Sequence, residues 1–139
     1  MKSIVCGAGV VGQSIAESLS KEDLEVTVID ESSEAIKKVS STLDVKTIVG
    51  AASSPSILES AGARDCDIII AVTKSDETNM IACQIGYSLF KIPTKIAKSS
   101  MIIFSSFSCN IDFFHRRNIL HVMLILLYGV SVSQLFEFP

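Results

Sequence analysis

The sequence is poor in the features that mark several common classes of protein. Acidic residues outnumber basic ones, 15 to 12, the net charge is −3, and lysine and arginine form no stripe, so nucleic acid is not an expected partner. The apolar run at 119–132 is shorter than the roughly 18 to 20 residues that span a bilayer. A single lysine precedes the first apolar segment, and we therefore expect no secretory signal.

The sequence also lacks any spacing of cysteine or histidine that is typical of a metal site. The four cysteines are Cys6, Cys66, Cys83 and Cys109, and none forms a CxxC pair. Because Cys6 falls on a predicted strand and Cys83 on a predicted helix, we expect reduced structural thiols of a cytosolic protein. His115 and His121 fit no metal or relay spacing. No catalytic or metal-binding residue is predicted.

The strongest functional signal lies in residues 4–30, which read IVCGAGVVGQSIAESLSKEDLEVTVID. Gly7 allows a sharp turn off the first strand, Gly9 leaves room for a pyrophosphate beside the backbone, and Gly12 lets the helix pack closely on the sheet. The helix N-terminus then offers free N–H groups to phosphate. Asp30, 18 residues beyond Gly12, is placed to accept hydrogen bonds from a ribose 2′-hydroxyl. The pattern predicts a nucleotide or dinucleotide site; the alternative is a purely structural turn.

The first 98 residues alternate strand and helix patterns with short connections, which predicts a Rossmann-like α/β fold with a doubly wound parallel sheet. Predicted strands lie at 2–6, 25–29, 45–49, 67–72 and 94–97, and predicted helices at 10–20, 33–42 and 78–89, with a short helix after Ser54-Pro55. The fourth strand, DIIIAV, is continuously apolar, as expected of a strand buried on both faces.

The composition changes abruptly after Lys98. Residues 99–139 hold six of the seven phenylalanines but only four charged residues, so we divide the chain into a nucleotide-binding domain at 1–98 and an atypical apolar tail at 99–139. Three interpretations of the tail are open: a buried extension of the core, an interfacial or partner-binding segment, and non-native sequence from a shifted reading frame. The enrichment of the tail in Phe, Ile, Leu, Ser and Asn favours the third interpretation. The sequence of the tail predicts no sixth strand. We therefore expect a sheet that is incomplete at its C-terminal end, and the edge formed by the last predicted strand should lie exposed unless the tail covers it.

Several segments of the first 98 residues resemble one known family. They are GAGVVGQSIAESL, VTVID, TIVGAASSPSILESAGARDCDIIIAVTKSDETNMIACQIGYSLF and KIPTKIAK, and they are similar to the nucleotide-binding N-terminal domain of Trk potassium-uptake regulators of the TrkA type, also called the RCK N-terminal domain. The resemblance implies a cytoplasmic regulatory subunit, peripheral to the inner face of the cell membrane, that binds NAD or NADH, or in related members ATP or ADP. It also implies a homo-oligomer, a dimer or tetrameric ring, that gates a membrane potassium transporter subunit by ligand-driven movement.

The resemblance also implies a set of cofactor-binding residues. The implied phosphate loop is Gly7, Ala8, Gly9, Val10, Val11 and Gly12, and the implied ribose acid is Asp30, followed by a second acid, Glu31. Gly50 and Ala51 match positions beside the adenosine, and Thr73, with Lys74 next to it, matches a position that faces the phosphates or the second ribose. Asp76 and Asn79 belong to the loop-to-helix signature, and Lys98 matches a residue that can reach phosphate. Helix capping by Ser75 or Asp76 is the alternative role for this last loop.

The chain departs from the family pattern at two of these positions. Gly50 is followed by Ala51 and Ala52, where the family usually has asparagine or aspartate beside the adenosine, so we expect weaker affinity or a different hold on the adenine end. Lys98 replaces the usual arginine, and a lysine supplies a point charge but no fork of donors.

A regulatory module is the leading interpretation, and we do not expect an enzyme. A dehydrogenase needs a second region that places a substrate and a catalytic acid or base beside the nicotinamide, and the sequence leaves no room for one. The alternatives are an NAD-binding fragment of a dehydrogenase and a truncated, non-functional remnant. Within the leading interpretation we expect NAD(H) to bind in preference to the 2′-phosphorylated forms, because Asp30 and Glu31 would repel a 2′-phosphate.

Overall fold

The computed structural model describes residues 1–99 and a short strand at 112–114. The strands are β1 (Lys2–Cys6), β2 (Glu25–Asp30), β3 (Lys46–Val49), β4 (Ile68–Ala71), β5 (Thr94–Lys98) and β6 (Asp112–Phe114). The helices are α1 (Val10–Lys21), α2 (Ser33–Thr42), α3 (Pro55–Ser60) and α4 (Asp76–Ser88), with a 3₁₀ turn at Ala63–Asp65. The predicted Rossmann-like α/β fold is confirmed, and the five longer strands lie within about two residues of their predicted bounds.

All strand pairs are parallel, and the sheet has the order β3-β2-β1-β4-β5-β6. At the centre of the sheet Val5 of β1 is in register with Val28 of β2 and Ile70 of β4. The chain moves from β1 toward one edge through β2 and β3, and then crosses back to build the other half from β4 onward. The crevice between the carboxyl ends of β1 and β4 is therefore the point where doubly wound sheets bind their ligands.

Each face of the sheet is covered by two helices, because successive residues of a strand point to opposite faces. Val5, Val28 and Ile70 face α1 and α2, where they pack with Ile15 and Val39. The alternate residues face α3 and α4 and form a second core cluster that includes Ile4, Ile29, Ile69, Leu58 and Cys83. Burial on both faces explains why β1 and β4 have no polar alternation.

Serine side chains set the starts of two helices. The Ser32 hydroxyl accepts a hydrogen bond from the Ala35 N–H at the start of α2, and the Ser75 hydroxyl accepts one from the Thr78 N–H at the start of α4. Because Ser75 is the cap, α4 begins at Asp76, two residues before its predicted start. Of the two caps that the sequence allowed, Ser75 is the one observed; Asp76 is the first residue of the helix, where an acid interacts favourably with the helix dipole.

A sixth strand is present, although the sequence predicted none. Asp112–Phe114 pairs in parallel with the end of β5, with Asp112 in register with Ile96 and Phe114 with Lys98. Part of the tail thus covers the β5 edge, which was expected to lie exposed unless the tail covered it. A three-residue segment is shorter than the strands that an alternating pattern identifies, so this pairing had no legible signal in the sequence.

Three of the cysteines are free and buried, as expected of structural thiols: Cys6, Cys66 and Cys83. Cys109, both histidines and the apolar run at 119–132 lie outside the described residues. Within the described residues, no helix is long and apolar enough to cross a membrane. In the same part of the chain, histidine, cysteine and acidic side chains form no group of three or more that could hold a metal ion.

Candidate functional site

A cleft of about 310 Å³ opens at the carboxyl ends of the central strands. It is lined by Gly7, Gly9, Ile29, Asp30, Glu31, Ser32, Gly50, Ala52, Val72, Thr73, Lys74, Ser75 and Thr78. The volume is at the lower end of the range that is typical of small-molecule sites. The cleft occupies the switch point of the sheet order, as the fold requires of a ligand site.

The floor of the cleft is a turn that only glycine can form. Gly7 has a φ of +110°, and a Cβ there would lie 2.9 Å from the carbonyl carbon of Val72. Its N–H donates to the Ile29 carbonyl oxygen at 2.7 Å, which ties the turn to the end of β2. A Cβ at Gly12 would overlap the Gly7 carbonyl oxygen, so α1 approaches the end of β1 more closely than any other residue would allow.

Gly9 differs from its neighbours because the space around it is open. Its backbone is extended, with φ −72° and ψ −172°, and a Cβ there would meet nothing within 4 Å. Gly9 is the N-cap of α1; it offers no side-chain cap, and the first turn of that helix carries no acidic residue. The first N–H groups of α1 therefore have no side-chain acceptor from the cap, and the helix dipole there favours an anion, which is the arrangement that binds phosphate.

Asp30 ends β2, and its carboxylate spans two backbone segments. Oδ2 accepts a hydrogen bond from the Ala8 N–H and Oδ1 one from the Ser32 N–H, each at 2.7 Å. The side chain thus holds the glycine turn against the start of α2. Because each carboxylate oxygen has two lone pairs, one remains on each oxygen for ligand hydroxyls.

Small residues form the wall beside Asp30. The Gly50 N–H donates to the Asp30 carbonyl oxygen at 2.9 Å, and a Cβ at Gly50 would lie 2.7 Å from the Ile57 side chain. Ala52 is buried and lines the cleft, whereas Ala51 does not. Neither Gly50 nor Ala52 carries a polar side chain. The weaker or different hold on the adenine end that the Ala51-Ala52 departure predicts stays a prediction.

The opposite wall is the corner between β4 and α4. The side chain of Asn79, which is fully buried, accepts hydrogen bonds from both the N–H and the hydroxyl of Thr73, at 2.8 and 2.7 Å. Its amide nitrogen donates to the Lys98 carbonyl oxygen at 2.9 Å and to the Thr73 carbonyl oxygen at 3.3 Å. Asn79 therefore holds Thr73 in place and joins the ends of β4 and β5.

The structure brings one part of the predicted site set together and leaves the other part outside the cleft. The residues that line the cleft are Gly7, Gly9, Asp30, Glu31, Gly50, Thr73 and Lys74. Those that do not are Ala8, Val10, Val11, Gly12, Ala51, Asp76, Asn79 and Lys98.

The residues outside the cleft have identifiable positions of their own. The Ala8 N–H is held by Asp30, and Gly12 packs on Gly7. Val10 is 84 % exposed, whereas Val11 packs against the core on the α1 face. Lys98 ends β5 and offers its carbonyl oxygen to Asn79.

The predicted set of cofactor-binding residues omitted six residues that line the cleft: Ile29, Ser32, Ala52, Val72, Ser75 and Thr78. Four of them flank predicted site residues at the carboxyl ends of β2, β3 and β4, so their position next to the motif was an available signal. Ser75 and Thr78 enter the cleft because α4 begins earlier than its periodicity indicated.

The three cysteine thiols of the described residues are not available as nucleophiles. Burial raises the pKa of Cys83 to about 12 and that of Cys66 to about 11, and it raises the pKa of the Cys6 thiol well above its usual value. A thiol with a raised pKa stays protonated at neutral pH and is unreactive.

The sheet order and the glycine-rich turn define a doubly wound domain of the Rossmann class. Within that class, the TrkA-N domain family matches residues 3–106, and the chain belongs to this family. The resemblance predicted from the sequence is thereby confirmed.

Relatives with high identity are Trk system potassium uptake proteins. The chain is 47 % identical over 98 residues to TrkA of Halomonas elongata and 48 % identical over 98 residues to TrkA of Azorhizobium caulinodans. Each alignment covers 70 % of this chain and 21 % of the relative. The chain thus spans about a fifth of the length of the curated relatives that it matches.

Solved structures at lower identity share the fold. The TrkA-N domain of the inner membrane protein ybaL from Escherichia coli has a TM-score of 0.71 at 20 % identity, covering 91 % of this chain and 96 % of that one. The Kef C-terminal domain of Shewanella denitrificans in an AMP-bound form has a TM-score of 0.68 at 18 % identity, covering 97 % and 86 %. The GsuK channel bound to NAD has a TM-score of 0.64 at 16 % identity, covering 73 % and 18 %.

Proposed function

We propose that this chain is a nucleotide-binding regulatory domain that takes NAD or NADH in the cleft between β1 and β4. The observation that carries the proposal is the open space at Gly9, which lies at an uncapped helix N-terminus between Asp30 and Thr73. A pyrophosphate at Gly9 would accept hydrogen bonds from the first N–H groups of α1. The same placement would bring the adenosine ribose to the free lone pairs of Asp30.

The charges of the cleft support NAD(H) over its 2′-phosphorylated forms. Asp30 and the exposed Glu31 line the cleft side by side, and no arginine among the described residues lines it. A 2′-phosphate at this end would meet two carboxylates with no fork of donors to offset them. AMP in the Kef domain and NAD in the GsuK channel are ligands of two structures with this fold, so an adenine nucleotide is the alternative ligand.

The biological role that we propose is regulation of potassium uptake without catalysis. Relatives that share almost half of their residues with this chain over the aligned segment are Trk system potassium uptake proteins. In this role the domain would act in the cytoplasm, peripheral to the membrane, as part of a homo-oligomer that contacts a membrane potassium transporter subunit. Nucleotide binding would then gate the transporter by moving the domain.

A titration of the purified chain with NADH, NADPH and ADP tests the ligand proposal. We expect saturable binding of NADH that is tighter than that of NADPH, and we expect Gly9→Val to abolish it, because the added side chain would enter the pyrophosphate space. Ser14→Val, on the exposed side of the same helix, is the matched control and should bind normally. Normal binding by Gly9→Val, or no binding by the unaltered chain, would refute this site.

Co-sedimentation with membrane vesicles tests the proposed partner. Vesicles from cells that contain a Trk potassium transporter should carry the chain into the pellet, and vesicles from a transporter deletion strain should not. Equal sedimentation with both would indicate adsorption to lipid and would contradict the proposed partnership.

A further inference from the structure

Ala8 lies inside the glycine turn, and side chains bind both of its backbone polar groups. Its N–H donates to Asp30 Oδ2, and its carbonyl oxygen accepts a hydrogen bond from Gln13 Nε2, each at 2.7 Å. Because Ala8 is buried, both groups need partners from the protein. Gln13 lies on α1, outside the predicted set of cofactor-binding residues, and it does not line the cleft.

The Gln13 contact fixes the direction of the next N–H group along the chain. A trans peptide is planar, so its carbonyl oxygen and its N–H point in opposite directions. Because the Ala8 carbonyl oxygen points at the Gln13 amide, the Gly9 N–H points away from that amide. Gly9 lines the cleft, and the described residues provide no hydrogen-bond acceptor for its N–H. The peptide that Gln13 holds therefore carries a donor that this part of the chain leaves unused.

Loss of the Gln13 contact would allow the Ala8–Gly9 peptide to reverse. A reversal rotates ψ of Ala8 and φ of Gly9 and leaves the rest of the chain in place. It would move φ of Gly9 from −72° to a positive value, which glycine adopts about as readily as a negative one. Asp30 does not oppose this rotation, because it holds the N–H of Ala8 and not its carbonyl group. Within the described residues, the Gln13 amide is the hydrogen-bond donor that selects the observed orientation.

We propose that Gln13 is a positioning residue of the phosphate turn, whose amide holds the Ala8–Gly9 peptide so that the Gly9 N–H donates to a phosphate oxygen of the ligand. The inference rests on the proposed nucleotide site and deepens it, because it adds a residue that acts through the backbone without touching the ligand. Gln13 also holds the following peptide, since its backbone N–H donates to the Gly9 carbonyl oxygen at 2.9 Å. One residue thus fixes the peptide groups on both sides of Gly9.

Comparison of ADP with adenosine isolates the phosphate contact, because the two ligands differ only by the diphosphate. Gln13→Met keeps the length of the side chain and removes its donor. It should lower the affinity for ADP by roughly tenfold, the usual effect of losing one hydrogen bond to a charged group, and the affinity for adenosine should stay within about twofold. If Gln13→Met does not fold, Gln13→Asn gives the same test, because its amide is one methylene too short to reach the Ala8 carbonyl oxygen.

Two control variants and one spectroscopic measurement separate positioning from a merely structural role. Gln84→Met makes the same change at an exposed position of α4, and Ser14→Ala removes a hydroxyl that donates to the Val10 carbonyl oxygen at 3.0 Å. Both controls should keep the ratio of ADP to adenosine affinity. In the NMR spectrum of the unaltered chain, saturating ADP should shift the resonance of the Gly9 amide proton. The shift should be smaller in Gln13→Met at saturating ADP, which a loss of stability alone would not cause.

The outcomes distinguish failure of this inference from failure of the proposed function. If the unaltered chain binds ADP but Gln13→Met changes the affinities for ADP and adenosine alike, Gln13 has only a structural role and the inference is overturned, while the nucleotide site stands. An unchanged shift of the Gly9 amide proton in Gln13→Met at saturating ADP overturns the inference in the same way. If the unaltered chain does not bind ADP, the proposed function fails, and the inference fails with it.

Discussion

Asp30 and Ala8 are joined by a 2.7 Å hydrogen bond from the Ala8 N–H to the Asp30 carboxylate, across the turn that leaves β1. Ala8 is only 1 % exposed, so water cannot replace this acceptor if it is lost. The acid that would recognise a ribose is thus also a structural element of the phosphate turn. Changes at Asp30 consequently act on stability as well as on ligand choice.

We expect Asp30→Ala to lower the free energy of unfolding by about 1–3 kcal/mol, because a buried N–H would be left without a partner. It should also weaken NADH binding and reduce the discrimination against NADPH. Glu31→Ala is the control: this exposed residue lines the same cleft, so it should alter the NADPH discrimination with little change in urea unfolding. Equal stability of the two variants would show that the Ala8 bond contributes nothing.

Gly12→Ala should destabilise the free protein, whereas Gly9→Ala should not. The Cβ at position 12 overlaps the Gly7 carbonyl oxygen, whereas the Cβ at position 9 enters open space. We therefore expect Gly12→Ala to cost about 1–3 kcal/mol, as overpacking does, and Gly9→Ala to leave the unfolding midpoint in urea nearly unchanged. A stable Gly12→Ala variant would mean that α1 can move away from β1.

The cap of α4 is the subject of a third prediction. Ser75→Ala removes the hydroxyl that accepts from the Thr78 N–H and should lower the stability by about 1 kcal/mol. Ser54→Ala is the matched control, because Ser54 is the N-cap residue of α3 but its side chain makes no cap hydrogen bond. Thermal unfolding of both variants measures the difference. A larger loss in Asp76→Ala than in Ser75→Ala would return the capping role to Asp76.

The buried thiols predict a loss of stability at high pH. Burial raises the pKa of Cys66 to about 11 and that of Cys83 to about 12, from a usual value near 9. Because the folded state binds these protons more tightly, its stability is full below about pH 9 and falls as the pH rises toward those values. In a Cys109→Ser background, iodoacetamide at pH 8 should label no cysteine of the native chain and all three in urea. Rapid labelling of Cys66 under native conditions would contradict the burial.

Two truncations of the tail test the contribution of β6 separately from that of the residues that follow it. A chain that ends at Ser99 should bind NADH within twofold of the full chain, because all the described residues that line the cleft precede position 99. It should be less stable than a chain that ends at Asn118, which keeps β6 on the β5 edge. The chain ending at Asn118 should also be more soluble than the full chain, since it lacks the apolar run at 119–132. Loss of NADH binding in either truncation would make the tail a working part of the site.

The sequence predicted the parts of the fold that depend on local pattern. The apolar runs around Val5, Val28 and Ile70 located the central strands, and the spacing of the glycines located the turn. Each of these signals is contained within a few neighbouring residues of the sequence. The cap of α4 was ambiguous, since serine and aspartate at 75 and 76 have the same local chemistry. The choice between them depends on where the helix meets the sheet.

The rest of the site depends on contacts between distant segments. The burial of Asn79 follows from its contacts with Thr73 and with Lys98, 19 residues away, and no local period encodes that distance. The strand at 112–114 was missed for the same reason, because its pairing with β5 is specified by the edge that it joins. Asp30 was predicted as a ribose acid from its spacing, but its hydrogen bond to the Ala8 N–H appears only once β2 is placed beside β1.

The Asn79 amide also restricts the movement that ligand binding in the cleft could transmit to the rest of the chain. The Asn79 side chain contacts both Thr73, which lines the cleft, and the last residue of β5, so these two residues cannot move apart while its hydrogen bonds persist. A ligand-driven motion of the following chain must therefore either pivot beyond Lys98 or break the Asn79–Lys98 bond. In the first case the domain would move as one rigid body. In the second case the Asn79–Lys98 hydrogen bond would break when the ligand binds or leaves.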